Sequence, residues 1–281
     1  MKEGRASRTA ELVCSGRALA HGRTDVTRFS DPTALALLPP ATQARMERLR
    51  AGVVPGGLRE RMKAGYFDVQ SKLMIARTVA IDDAVRAAAS PQVVILGAGL
   101  DGRAWRMPEL HDAVVFEVDH PDSQRDKRER AARLTPCAKD IRFVAVDFVR
   151  DSLDDALTRA GHDPSLPTTF IWEGVVMYLT QQQIESTLAV VSRRSASGSR
   201  LAVHYHAPAF TLRVIGLYLR RLGEPLRTSL APSAMRALLE RHGFEIVWDE
   251  TIPALGTALS PELGKALHSL TFQRIVTATR R

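Results

Sequence analysis

The stretch Val93-Val94-Ile95-Leu96-Gly97-Ala98-Gly99-Leu100-Asp101-Gly102-Arg103 runs an apolar strand straight into a glycine turn. Four consecutive aliphatic residues without polar alternation describe a strand buried on both faces. Glycines belong after it because the chain must turn sharply and let a ligand approach without a Cβ in the way. The spacing satisfies G-x-G-x-x-G, which also fits a dinucleotide-binding fold, so the stretch alone leaves the ligand open.

Outward from it, short apolar runs alternate with polar helical stretches. Strands are expected at Val93–Leu96, Val114–Val118, Arg142–Val146, Thr169–Trp172 and Arg200–Tyr205. Helices are expected between them at Arg103–Leu110, Pro121–Leu134, Leu153–Ala160 and Gln181–Ser195. This alternation specifies a parallel sheet with helices on both faces. After Tyr205 come a segment at 207–232, a helix at Pro232–Arg241, and strands at Phe244–Asp249 and Phe272–Thr277. Upstream, helices are expected at Ser7–His21 and Lys72–Ala89, with a stretch punctuated by Pro and Gly between them. The expected architecture is a Rossmann-like, seven-stranded, mostly parallel α/β sheet. Residues 1–90 form a helical cap on it, and a lid at 207–232 is inserted after the fifth strand of the core, 91–281.

Composition narrows the class. With 281 residues, 45% hydrophobic and 25% charged, the chain has the balance of a globular protein with a core. The N-terminus lacks the uninterrupted apolar stretch of a secretory signal, and no run reaches the roughly 20 residues that span a bilayer. Cys14 and Cys137 make no motif, so a reduced cytoplasmic setting is the simplest reading. The net charge of +8 permits an anionic partner, but the arginines are scattered, aromatic content is 6% and no nucleic-acid motif is present. Nucleic acid and membrane are therefore not expected partners. No His/Cys spacing suits a metal, and none is expected.

Acids at the ends of successive strands identify the ligand class. Asp119 closes the second strand, 22 residues after Gly97, where a carboxylate accepts the ribose hydroxyls of a nucleotide. Asp147-Phe148 closes the third strand and suits an adenine ring, the acid facing the exocyclic amine and Phe148 covering a face. Glu173 closes the fourth. A row of acids suits a cationic ligand with an amino group and would line a pyrophosphate poorly. S-adenosylmethionine (SAM) is thus favoured over NAD. Each acid by itself could equally cap the following helix.

GAGLDGRAWRM, FEVDHP, VAVDF and IWEGVVMYLT resemble the motifs of the leucine carboxyl methyltransferase-like family, over roughly Ser7 to Tyr178. The family contains many bacterial SAM-dependent methyltransferases of secondary metabolism. The resemblance implies that Arg77 binds the SAM carboxylate; a surface salt bridge is the alternative role for it. It also places Gly97, Ala98 and Gly99 against the methionine moiety, Asp119 on the ribose, Asp147 and Phe148 at the adenine, and Glu173 near the amino end. The product would be S-adenosylhomocysteine (SAH). The chain departs from the family pattern at Gly102, where Thr is common, and in the histidines that end its fifth strand.

His204 and His206 are candidates for positioning or deprotonating a methyl acceptor, since ligands bind at the C-terminal edge of such sheets. Period two puts them on one side with Tyr205 opposite; a purely structural role for both is the alternative. Tyr178, Tyr205 and Phe210 are candidate pocket residues, although for Tyr178 core packing of Met177-Tyr178-Leu179 is the favoured reading. The apolar residues Phe210, Leu212, Val214, Ile215, Leu217 and Leu219 point to an apolar or aromatic small-molecule acceptor, or to a homodimer interface. O-methylation is the expected chemistry, with carbon or nitrogen acceptors open. Carboxyl methylation of a protein C-terminus, RNA modification and a silent SAM-binding module are the competing functions.

Overall fold

The computed structural model describes residues 8–53, 56–148, 150–212 and 225–281. Within these, the seven strands β1 (Gln92–Leu96), β2 (Val114–Asp119), β3 (Asp140–Ala145), β4 (Thr168–Trp172), β5 (Arg200–His206), β6 (Phe244–Thr251) and β7 (Gln273–Arg280) form one sheet in the order β3-β2-β1-β4-β5-β7-β6. All neighbours pair in parallel except β7, which runs antiparallel to β5 and β6. The mostly parallel seven-stranded sheet anticipated from the alternation is present.

Period two in the strands sorts their side chains into two cores. Val93, Ile95, Val115, Ile171, Ala202 and Ile275 face one side; Val94, Leu96, Phe116, Val118, Phe170, Trp172, Leu201, Val203 and Tyr205 face the other. The second face is covered by α7 (Leu153–Arg159), α8 (Gln181–Arg193) and the helix Pro232–Arg241. α8 begins in a capping box in which Thr180 and Gln183 satisfy each other's backbone N–H, worth about 1 kcal/mol. The first face is covered by the N-terminal helices α1 (Arg8–Ala20), α2 (Ala34–Leu37), α3 (Pro40–Arg50) and α4 (Leu58–Ala88), joined by Ala131 of α6 (Pro121–Ala131). Their buried side chains are continuous with those of the sheet.

The structure departs from the sequence reading in several elements. α4 starts at Leu58 rather than Lys72 and is 31 residues long. α3 lies in the stretch read as irregular: Pro40 stands in its first turn, where the missing N–H costs nothing. The helix expected at Arg103–Leu110 ends as α5 (Arg103–Arg106), because Pro108 forces Met107 out of the helical region, and a 3-10 turn Pro108–Leu110 follows. Helices Ile252–Leu259 and Pro261–Ala266, each capped by a hydroxyl (Thr251, Ser260), pack beneath α4 and had no counterpart in the reading. Of the lid expected at 207–232, positions 213–224, with Val214, Ile215, Leu217 and Leu219, lie outside the described residues. Among the described residues, no helix is long and apolar enough to cross a membrane.

Candidate active site

β1 pairs on one side with β2 and on the other with β4, so the order of connection reverses beyond their C-terminal ends. A crevice opens at such a switch point, and ligands bind there in open α/β sheets. In this chain the crevice is a cavity of about 330 Å³. Its wall includes Arg17, Arg77, Gly97, Ala98, Gly99, Asp119, Asp147, Phe148, Glu173, Tyr178 and Arg227. All eight residues expected at the cofactor are therefore brought together, along with Tyr178.

Gly97 turns the chain at φ +72°, and a Cβ there would stand 2.3 Å from Cγ2 of Val175. The turn after β1 and the loop after β4 thus close on each other with room only for hydrogen at that position. The N–H groups of Gly97 and Ala98 donate to the Val118 carbonyl at 2.8 and 3.0 Å, tying the turn to β2. Asp119 accepts from the Gly99 N–H through one carboxylate oxygen and from the His120 N–H, at 2.6 Å, through the other. Burial raises its pKa above the ordinary 3.8 despite those two donors. The carboxylate is fixed in orientation and keeps lone pairs toward the cavity, as a ribose diol requires.

Behind the Arg77 side of the cavity lies a chain of alternating charges. Arg77 Nε stands 2.7 Å from Glu173 Oε1, and Glu173 Oε2 is 2.8 Å from Arg103. Arg103 continues to Asp82 at 2.8 Å, Asp82 to Arg106 at 2.7 Å, Arg106 to Asp31 at 3.7 Å and Asp31 to Arg17 at 2.9 Å. Asp101 closes onto Arg103. Four guanidinium groups and four carboxylates, all with buried side chains, balance one another. Burial alone would push Glu173 upward, but Arg103, Arg77 and Arg17 hold it down to about 2. The two ends of the chain, Arg77 and Arg17, both line the cavity.

Arg17 was not among the residues singled out from the sequence. Gly16 lets α1 approach α4 closely, since a Cβ there would come within 2.8 Å of Met74 Cγ. That approach carries Arg17 to the cavity wall, where it also donates to the Leu100 carbonyl at 2.6 Å. In a sequence it reads as one surface arginine among many. The only cue was its place in the apolar run around Ala18-Leu19-Ala20.

The histidines separate. His206, the last residue of β5, lines a second, open cavity of about 600 Å³ with Phe210, Leu212, Leu226, Arg227 and others. Burial, followed by the charge of Arg77, lowers its pKa to about 4. His204 is 2% exposed, with Nε2 3.2 Å from Gln273 Oε1, and its ring meets that of His206 edge-on at 5.5 Å. It touches neither cavity. Tyr205, expected at the pocket, instead points into the opposite core, where its hydroxyl donates to Asp249 at 2.7 Å. Strand parity decides this: the odd side of β5 faces α8 and the helix Pro232–Arg241. Phe210 is 76% exposed at the rim of the second cavity.

The wall of the first cavity sets four carboxylates (Asp101, Asp119, Asp147, Glu173) against three guanidinium groups (Arg17, Arg77, Arg227) among its described residues. SAM, with a sulfonium, an ammonium and one carboxylate, carries the complementary net charge. A fixed acid for a diol, a turn with no space for a side chain and two cations at one end fit its three parts.

The leucine carboxyl methyltransferase family model matches residues 10–192. The chain is 34% identical over 221 residues to a Mycobacterium sp. (strain KMS) protein provisionally named an S-adenosyl-L-methionine-dependent methyltransferase, covering 78% of this chain and 72% of that one. A Streptomyces coelicolor protein of the same provisional name is 39% identical over 210 residues, covering 69% and 67%. Among solved structures, a DUF574 family protein from Streptomyces avermitilis superposes with a TM-score of 0.59 at 14% identity, over 99% of both chains. A protein from Thermobifida fusca, provisionally named a methyltransferase, also gives 0.59, at 15% identity, over 100% of this chain and 97% of that one; at such identities the likeness concerns the fold. Fold, site and relatives together define a SAM-dependent methyltransferase. The chain belongs to the leucine carboxyl methyltransferase family.

Proposed function

We propose that the chain transfers a methyl group from SAM, held in the cavity at the β1–β4 switch point, to an oxygen of a small, largely apolar acceptor in the neighbouring cavity. The observation that carries this is the sharing of one wall residue, Arg227, by the two cavities. Arg77 and Arg17 hold the carboxylate of the methionine moiety, Glu173 its amino end, and Gly97, Ala98 and Gly99 its backbone side. Asp119 takes the ribose, and Asp147 with Phe148 takes the adenine. When bound, SAM supplies an activated methyl group for in-line displacement. The protein's part is then to bring the acceptor oxygen to roughly 3 Å from that methyl group and to exclude water.

His206 is the side chain of the pair that reaches the acceptor cavity, while His204 buttresses its ring from behind. With a pKa near 4, His206 is neutral at pH 7 and a weak base. That property matches an acceptor oxygen that is acidic or already ionised, a carboxylate or an acidic phenol, and disfavours an aliphatic alcohol. Apolar acids and phenols of natural-product type are the acceptors to offer, in keeping with a secondary-metabolic role.

The test is incubation with SAM and a panel of arylcarboxylic acids, acidic phenols, and matched aliphatic alcohols and amines, with product read as a mass gain of one methyl. Methylation confined to the acids and phenols is expected. Methylation of the alcohols alone, or of nitrogen nucleophiles, would overturn the assignment.

A further inference from the structure

Residues 225–230 form an anchored strap. The Arg227 N–H donates to the Met177 carbonyl at 2.8 Å, the Thr228 hydroxyl donates to the Leu179 carbonyl at 2.5 Å, and the Leu230 N–H donates to the His206 carbonyl at 2.9 Å. These bonds fasten the strap to the 3-10 turn Val176–Tyr178, just past Glu173, and to the end of β5. Arg227 therefore occupies a fixed backbone position between the two cavities.

Its side chain differs from the other arginines of the site. Arg77 is paired with Glu173 and Arg17 with Asp31, whereas Arg227 has no acid within 4 Å among the described residues. In the second cavity it is the only charged side chain of the described wall; His206, Pro208, Ala209, Phe210, Leu212, Leu226, Thr228 and Ser229 make up the rest. Arg227 is exposed to solvent, which weakens its pull on an anion, but no acid among the described residues competes for its fork, which matches a carboxylate bidentately.

Resting on the proposed placement of the acceptor in this cavity, we infer that Arg227 is a specificity-determining residue that binds an anionic group of the acceptor. The acceptor class is an organic anion with an aryl or alkyl body. The body lies against Phe210, Leu212 and Leu226, and the charge is turned toward Arg227 on the wall that the cavities share. Neutral molecules of the same shape enter the apolar part without that pairing and bind less well.

The test uses the full-length protein saturated with SAH and a series of ω-phenylalkanoates, from phenylacetate to phenylhexanoate, beside the matched ω-phenyl alcohols, with binding followed by calorimetry. In the wild type the best carboxylate binds about tenfold or more tightly than its alcohol. Arg227→Gln removes that preference, whereas Arg236→Gln, the same charge change on an exposed helix, keeps it. Arg227→Glu reverses it, favouring the matched ω-phenylalkylamines. Absence of a carboxylate preference in the wild type, including no binding by either series, overturns the inference, as does its survival in Arg227→Gln. Loss of SAH binding in Arg227→Gln alone would reassign the residue to the cofactor and overturn it as well. Failure of the wild type to bind SAH would instead strike the proposed function on which the inference rests.

Discussion

Arg77 on α4 and Glu173 at the end of β4 form a buried ion pair, with Nε and Oε1 2.7 Å apart and both side chains less than 10% exposed. The pair joins the N-terminal helices to the sheet beside the switch-point cavity and is one link of the charge chain that returns to Arg17. Cap and site are thus electrostatically one unit, and perturbing the chain away from the cavity should be felt in both stability and ligand binding.

Asp82 tests this, since it lies in the middle of the chain, bonded to Arg103 and Arg106, and does not line the cavity. Its pKa lies below the ordinary 3.8: burial works against ionisation, but Arg106 and Arg103 outweigh it. Asp82→Asn leaves two buried guanidinium groups short of a partner, a loss of about 3–5 kcal/mol by comparison with other broken buried pairs. Urea denaturation of the apo-protein should show a fall in unfolding free energy of that order, together with weaker SAH binding. A change of less than about 1 kcal/mol would mean that the chain contributes little to the fold.

Gly97 makes a steric prediction. A Cβ at that position meets Val175 Cγ2 at 2.3 Å, on a backbone at φ +72° that disfavours side chains. Gly97→Ala should destabilise the protein by about 2 kcal/mol and weaken SAH binding at least tenfold. Adding Val175→Ala should restore part of the loss by removing the clash while leaving the backbone strain. A double variant no better than the single one would locate the whole effect in the backbone.

His162 sets a pH dependence. It is buried between Phe116 and Phe170, with Nε2 3.1 Å from the Thr168 hydroxyl. Burial, followed by the charge of Arg194, lowers its pKa from the ordinary 6.5 to about 4. Between these values the unfolded chain binds a proton that the folded one does not. Its contribution to stability is therefore whole above pH 6.5 and is lost as the pH falls toward 4, at no more than about 1.4 kcal/mol per unit. Thermal unfolding at pH 7 and pH 5 should show the wild type losing more stability on acidification than His162→Phe. Equal losses in the two proteins would place His162 at its ordinary pKa.

The parts of this molecule that local chemistry determines were legible in the sequence. β1 and β4 read as strands because both faces are buried and the apolar runs Val93–Leu96 and Phe170–Trp172 show no polar alternation. Gly97, Asp119, Asp147 and Glu173 stood out because they follow strands at the edge where α/β sheets bind ligands, and the structure gathers all four around one cavity. Period two correctly set His204 and His206 against Tyr205. It gave no depth along the strand, so it could not tell that His204 is covered by Gln273 while His206, two residues later, reaches open space. Arg17, Arg103 and Arg106 were illegible because a buried arginine is defined by carboxylates brought from elsewhere in the chain. Nothing within a few residues of Arg17 announces Asp31 as its partner.

The most direct test of the central claim is calorimetric titration of SAH and SAM, with NAD alongside, into the wild type and Asp119→Ala. Asp119 is the group whose carboxylate the Gly99 and His120 N–H donors hold toward the cavity. Binding of SAH and SAM in the micromolar range, weakened by more than about tenfold in Asp119→Ala and with no heat from NAD, is the predicted result. Binding of NAD in their place, or SAH binding that ignores the loss of Asp119, would contradict the assignment of this cavity to SAM.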